Sequence, residues 1–209
     1  MNEKQYETVV EFVASQIGED NSGHGLAHAK RVKENALAIA KEEGGDEDVI
    51  VLASLLHDTA DHKLFSDTGK QLEKMKAMLL ENGFTAEVAR HVAEIAATIS
   101  WNKGQQKELN SLEAKIVRDA DRLDAIGAVG IVRTIEYGNS HGRPFYTQEE
   151  IDSGIHDDSI TTLAHFYQKL LLLEDHMCTK AGKELAHDRS EFMKTFLDEF
   201  YLEIGASSK

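Results

Sequence analysis

A nearly unbroken apolar run, Val49-Ile50-Val51-Leu52-Ala53-Ser54-Leu55-Leu56, ends directly in His57-Asp58 and then Asp61-His62. A neutral imidazole offers a lone pair and a carboxylate offers oxygen and charge, so this grouping can hold a divalent cation or move protons. Asp58 and Asp61 share a helix face. His57 and Asp58 diverge by about 100° on one helix and can both reach an ion only where other helices surround it. Taken alone, the segment is better accounted for by a helix ending in solvent, with His57 on a backbone carbonyl and hydrated carboxylates.

Two further positions change that balance. His28 lies on the apolar side of its segment with Val32, Ala36 and Ile39, although a lone buried histidine is usually structural. Asp121, in Asp119-Ala120-Asp121-Arg122-Leu123-Asp124, shares a face with Val117 and Ala125, and a buried carboxylate needs a partner. Arg118 or Arg122 could be that partner. A calcium loop is excluded, because neither its central glycine nor its terminal glutamate stands at the required offset. Together, two imidazoles and two carboxylates form a mixed nitrogen and oxygen donor set that suits Mn, Fe, Co, Ni or Zn. Cys178 is the only cysteine, which rules out an intrachain disulfide or a multi-cysteine site and points to a reducing compartment.

Helices must position these groups. In 209 residues there is one proline against 15 glycines, and the 41% hydrophobic and 29% charged content is that of an ordinary globular chain; a helix-rich fold is favoured. Val9, Val10, Phe12, Val13 and Ile17 recur at helical spacing before the Gly18 to Gly25 stretch ends that helix. Helices follow at Leu26 to Glu42, stopped by Gly44-Gly45, and from an Asp46 N-cap through the run apolar on all sides, which describes a central buried helix. Asp67 to Glu81 and Thr85 to Ser100 are the next two. A long run starts at Ser111 and continues through Ile116, Val117, Leu123, Ile126 and Val129, with Gly127 and Gly130 placed to bend or break it. Gly138 to Tyr146 reads as a loop, and Asp158 to Glu174 and Ala181 to Ile204 as the last two helices. No segment alternates as a strand, and no linker or repeat interrupts the chain. One all-α domain is the economical reading.

The formal net charge of −14 repels nucleic acid and anionic lipid, so a phosphorylated substrate would need local positive charge from a metal ion or a few focused cations. The amphipathic N-terminus with Glu3, Glu7 and Glu11 is unlike a signal peptide, and no apolar stretch reaches membrane-spanning length. A cytoplasmic location is expected.

The segments His28-Ala-Lys-Arg-Val32, Leu55-Leu56-His57-Asp58 and Lys115-Ile-Val-Arg-Asp119-Ala-Asp121-Arg-Leu123 resemble the HD-domain metal-dependent phosphohydrolase superfamily. Its signature is an upstream His, an adjacent His-Asp pair and a distant Asp. The Asp119 to Ala128 run and the His165-Phe-Tyr-Gln-Lys-Leu170 segment look like a branch of small, mostly uncharacterised hydrolases. The resemblance implies an all-α, single-domain HD-type helical bundle over 1–209, with a motif core about 23–135 and C-terminal helices completing it. It implies His28, His57, Asp58 and Asp121 as ligands of one divalent ion: Mn, Co, Ni, Fe, Zn or Mg. His24, flanked by glycines, competes with His28 but fits the pocket rim better. Asp119 and Asp124 compete with Asp121; Asp124, one turn on, could orient a ligand or a water.

Asp61 matches the acidic residue that many family hydrolases place a turn after the His-Asp pair to handle the proton of the water or leaving group. A divalent ion would bring the pKa of a bound water toward neutrality and screen phosphate oxygens. His62, Lys63, Lys103 and Arg143 could contact the phosphate. Trp101, which could pack on a base, fits core or rim better, and His91 fits a surface or structural role. The leading function is hydrolysis of a nucleotide or similar small phosphate ester or anhydride. The alternative is a nucleotide-responsive, metal-containing binding module without significant turnover. A metal oxygenase would need two redox metals and further histidine ligands that the sequence does not clearly supply.

Overall fold

The structure is a computed structural model and describes residues 1–17, 25–61, 65–99 and 108–206. It is all-α, and its contacts divide the chain into two compact units, residues 1–121 and 122–209. His24, His62, Lys63, Trp101 and Lys103 lie outside the described residues. No described helix is long and apolar enough to cross a membrane.

The first unit is organised around α3 (Glu47–Leu56), in which every residue from Val49 onward is buried. Asp46 caps it as the sequence predicts, its carboxylate accepting from the Val49 amide at 3.2 Å. A helix apolar on all sides must be covered on all sides; α1 (Glu3–Ile17), α2 (Leu26–Glu43) and α5 (Ala86–Ile99) pack against it. α4 (Thr68–Glu81), capped by Asp67 on the Lys70 amide at 2.9 Å, packs on α5. The core joins Val9 and Val13 of α1, Leu52 and Leu55 of α3, Met75 and Leu79 of α4, Val92 and Ile95 of α5, and Val117 of α6 (Leu112–Asp124).

The run from Ser111 breaks where its glycines suggested. α6 ends at Asp124, and α7 (Gly127–Ser140) begins afresh at Gly127, whose φ of 72° strains any residue with a Cβ. α7 consumes the start of the segment read as a loop. α8 (Gln148–Ser153) is a short helix that periodicity does not reveal, opened by Thr147 accepting from the Glu150 amide at 3.2 Å. The single helix read over Asp158 to Glu174 is corrected. Thr161 caps a later start, accepting from the Ala164 amide at 3.2 Å, and α9 runs only over Thr162–Gln168. Lys169, at φ −140° and ψ −59°, leaves helical geometry, and two 3₁₀ turns, Leu170–Leu172 and Glu174–His176, follow. α10 (Lys180–Glu203) closes the chain behind the Thr179 cap. α10 and α9 pack on α7, and Gly138 lets α7 approach α9 where a Cβ would overlap the Thr162 hydroxyl.

Candidate functional site

The apolar helix α3 stops at Leu56, and the chain tightens into a 3₁₀ turn, His57–Ala60. The turn stays buried because α1, α4 and α5 pack against it. Its own bonds hold it: the Thr59 hydroxyl donates to the Leu56 carbonyl at 2.8 Å, and the Asp61 amide donates to the Asp58 carbonyl at 3.1 Å. His57 and Asp58 are only 3% and 6% exposed. They do not end a helix in solvent, although His57 does use a backbone carbonyl.

His57 Nδ1 stands 2.8 Å from the Ser54 carbonyl oxygen. A carbonyl only accepts, so Nδ1 carries the proton, which leaves Nε2 as the ring atom that can serve as a ligand. From α2, the buried His28 brings its Nε2 to 3.2 Å from that Nε2. Asp58 places one carboxylate oxygen 3.3 Å from His57 Nε2 and the other 3.5 Å from His28 Nε2. Asp121 Oδ1, from α6, lies 3.4 Å from His28 Nε2 and 3.8 Å from His57 Nε2.

Donor atoms of His28, His57 and Asp58 all fall within 4.8 Å of one another. Donors about 2.0–2.2 Å from one ion stand roughly 3.0–3.5 Å from their neighbours; the separations of 3.2 to 3.5 Å fit that spacing, and the 3.8 Å between Asp121 Oδ1 and His57 Nε2 is longer. Two nitrogens and carboxylate oxygens are also the right donor chemistry for a borderline divalent ion. The residues therefore fit a metal. The Asp121 side chain is 37% exposed while those of His28, His57 and Asp58 are covered.

The HD domain family matches residues 25–126, a span that holds His28, His57, Asp58 and Asp121. The chain is 35% identical to the Bacillus subtilis protein YpgQ over 203 residues, 96% of this chain and 94% of that one. This chain belongs to the HD superfamily. Solved structures agree: an HD-superfamily hydrolase from Bacillus thuringiensis superposes with a TM-score of 0.79 at 36% identity, covering 98% of both chains. Bacillus subtilis YpgQ in complex with ADP superposes at 0.78 with 32% identity, covering 95% of this chain and 97% of that one.

The other residues singled out in the sequence fall into different settings. Asp61 is 6% exposed and sits in extended backbone one residue past the 3₁₀ turn, its carbonyl accepting from the Phe65 amide at 2.9 Å. Asp119 is fully buried. Asp124 belongs to the second unit and is held there by Arg133, 2.5 Å from its carboxylate. Arg143, also in the second unit, donates to the Asp158 carbonyl at 2.8 Å and lies over the Tyr137 ring. His91 has the structural setting expected, 3.0 Å from the Ser111 hydroxyl.

Two features were not read from the sequence. The Asn35 amide on α2 donates to the Ala120 carbonyl, immediately before Asp121, at 3.2 Å. In the second unit His156 pairs with the buried Glu150 at 2.8 Å.

Proposed function

We propose that the protein is a metal-dependent phosphohydrolase acting on a nucleotide or a similar small phosphate ester or anhydride, with His28, His57, Asp58 and Asp121 as the ligands of one divalent ion. The observation that carries this reading is the clustering of donor atoms of His28, His57 and Asp58, with an Asp121 oxygen 3.4 and 3.8 Å from the two imidazole nitrogens, so that three separate helical segments contribute. A bound divalent ion supplies Lewis acidity there, easing deprotonation of a water and offsetting phosphate charge. The −14 protein otherwise repels such a substrate.

The chain's own residues do the rest. Ser54, through its carbonyl, fixes the His57 ring and its tautomer. Asp58 and Asp121 bring negative charge that the two neutral imidazoles lack. Asp61, carried by the same turn, takes a proton from the attacking water or returns one to the leaving oxygen at its carboxylate. His24, His62, Lys63 and Lys103 are assigned to the phosphate groups of the substrate. The ADP complex of the relative YpgQ supports a nucleotide as occupant.

The test is a panel of nucleotides and phosphomonoesters incubated with Mn-, Co- and Mg-loaded protein, with phosphate and pyrophosphate detected separately. Turnover abolished by chelation and restored by metal is expected. Tight nucleotide binding without turnover of any compound would overturn hydrolysis in favour of the binding module.

A further inference from the structure

The donors differ in how they are held. His57 and Asp58 are neighbours in one turn, and His57 has its own tether on Ser54. His28 and Asp121 come from α2 and α6 and meet at 3.4 Å only if those two helices keep a fixed register. Asn35 stands about two turns beyond His28 along α2, and its Nδ2 donates to the Ala120 carbonyl at 3.2 Å, a bond between residues 85 apart in the chain. A backbone carbonyl only accepts, so the side-chain nitrogen must face it. The bond ends one residue from Asp121.

We infer that Asn35 is a positioning residue for the metal centre: its bond to the Ala120 carbonyl locks α6 against α2 so that Asp121 Oδ1 meets His28 Nε2. The inference rests on the reading of His28 and Asp121 as ligands. Ligand constellations must be held to about 0.5 Å, and a hydrogen bond at the residue preceding the ligand limits both sliding and rotation of α6. Residues that orient ligands in this way commonly cost about 10- to 100-fold in metal affinity when changed.

The experiment measures Zn(II) affinity of the full chain by competition with a chromogenic chelator, in wild type, Asn35→Ala, Asn35→Asp, Asp121→Ala and the Asn35→Ala/Asp121→Ala double variant. Circular dichroism and melting in chelator establish that each is folded. Both Asn35 variants are expected to bind about 10- to 100-fold more weakly. Asn35→Asp keeps the volume and adds negative charge, which by itself would favour a cation, so a loss there identifies the missing donor. With Asp121 removed, Asn35→Ala should change affinity less than about 2-fold, because the ligand it positions is gone. Unchanged affinity in both Asn35 variants, with Asp121→Ala weakened, overturns the inference and leaves the ligand assignment standing. A full additional loss in the double variant also overturns it, since Asn35 would then act elsewhere. Unchanged affinity in Asp121→Ala overturns the ligand assignment itself.

Discussion

Each unit of the molecule sets a histidine against a buried carboxylate, and the two arrangements are chemically unlike. In the second unit His156 Nδ1 meets Glu150 Oε1 at 2.8 Å, and the ring stacks on Tyr167 with centroids 3.9 Å apart. Tyr167 in turn donates to the Tyr201 hydroxyl at 3.2 Å, and burial, then that bond, pushes the Tyr167 phenol well above its usual range. These groups are paired off. In the first unit His28, His57 and Asp58, with Asp121, aim several donor atoms at one point instead of at one another's protons. Side-chain type and a buried carboxylate are therefore shared, and convergence separates a candidate metal centre from an ion pair.

The comparison breaks most directly at the ligands. His57→Ala and Asp121→Ala are each expected to take the purified protein from about one ion per chain to almost none, read by elemental analysis, because each removes a donor that coordination requires. Undiminished metal in both would place the ion elsewhere. Chelation should remove the ion without unfolding the chain, since α3 and its covering helices form a core without it. Next in size is Asp61→Asn, which keeps the volume and removes the charge. Turnover should fall roughly 10²- to 10⁴-fold, the span of general acid–base catalysis, with metal content and melting temperature retained. Lost metal would make Asp61 a ligand, and normal turnover would pass its role to another group.

His156→Ala sharpens the contrast from the other side. It leaves the Glu150 carboxylate buried without its imidazole, and the other oxygen, Oε2, already has no hydrogen-bond partner among the described residues. A loss of about 1–3 kcal/mol is expected from a buried polar group left unsatisfied, measured by urea unfolding. Metal content should not move. If it did, the second pair would belong to the metal centre's support and the distinction between pairing and convergence would fail.

The parts of this comparison were not equally legible. His57 and Asp58 show in the sequence because polar side chains end a helix apolar on all sides, and His28 because it falls on the apolar face of α2 in a recognisable order. The burial of Asp61 does not, since it depends on a 3₁₀ turn and on helices α1, α4 and α5 packing over it. Asn35 is one polar residue among several on α2, and only the approach of a helix distant in sequence gives it a task. α8 is too short for periodicity to register. Its capping pattern, Thr147 followed three residues later by Glu150, was a usable local signal. The long helix read to Glu174 failed because α9 and the two 3₁₀ turns share one apolar pattern, which says little about where helical dihedrals stop.

The smallest expected effect asks whether membership of the first unit, rather than convergence, makes a histidine and a carboxylate functional. His91 of α5 lies 3.9 Å from Glu113 and 3.0 Å from Ser111, in the same unit as the candidate metal cluster. Burial raises the Glu113 carboxyl, but the Asp46 amide, donating at 3.0 Å, together with its own amide, His91 and Ser111, outweighs burial and holds it below the usual value. Because the folded value is the lower one, the unfolded chain takes up the proton first as pH falls. The stabilisation is thus present above about pH 4.3, the ordinary glutamate value, and is lost through the folded value below it. Glu113→Gln should therefore cost about 1 kcal/mol at pH 7 in chelator, and its difference from wild type should shrink as the pH falls below about 4. Urea midpoints at a series of pH values measure this. At neutral pH the variant should keep its full metal content, because Glu113 caps the start of α3 through Asp46 and sends no donor to the convergence point. A metal-free Glu113→Gln protein would show that proximity within the unit suffices, and convergence would no longer be the deciding property.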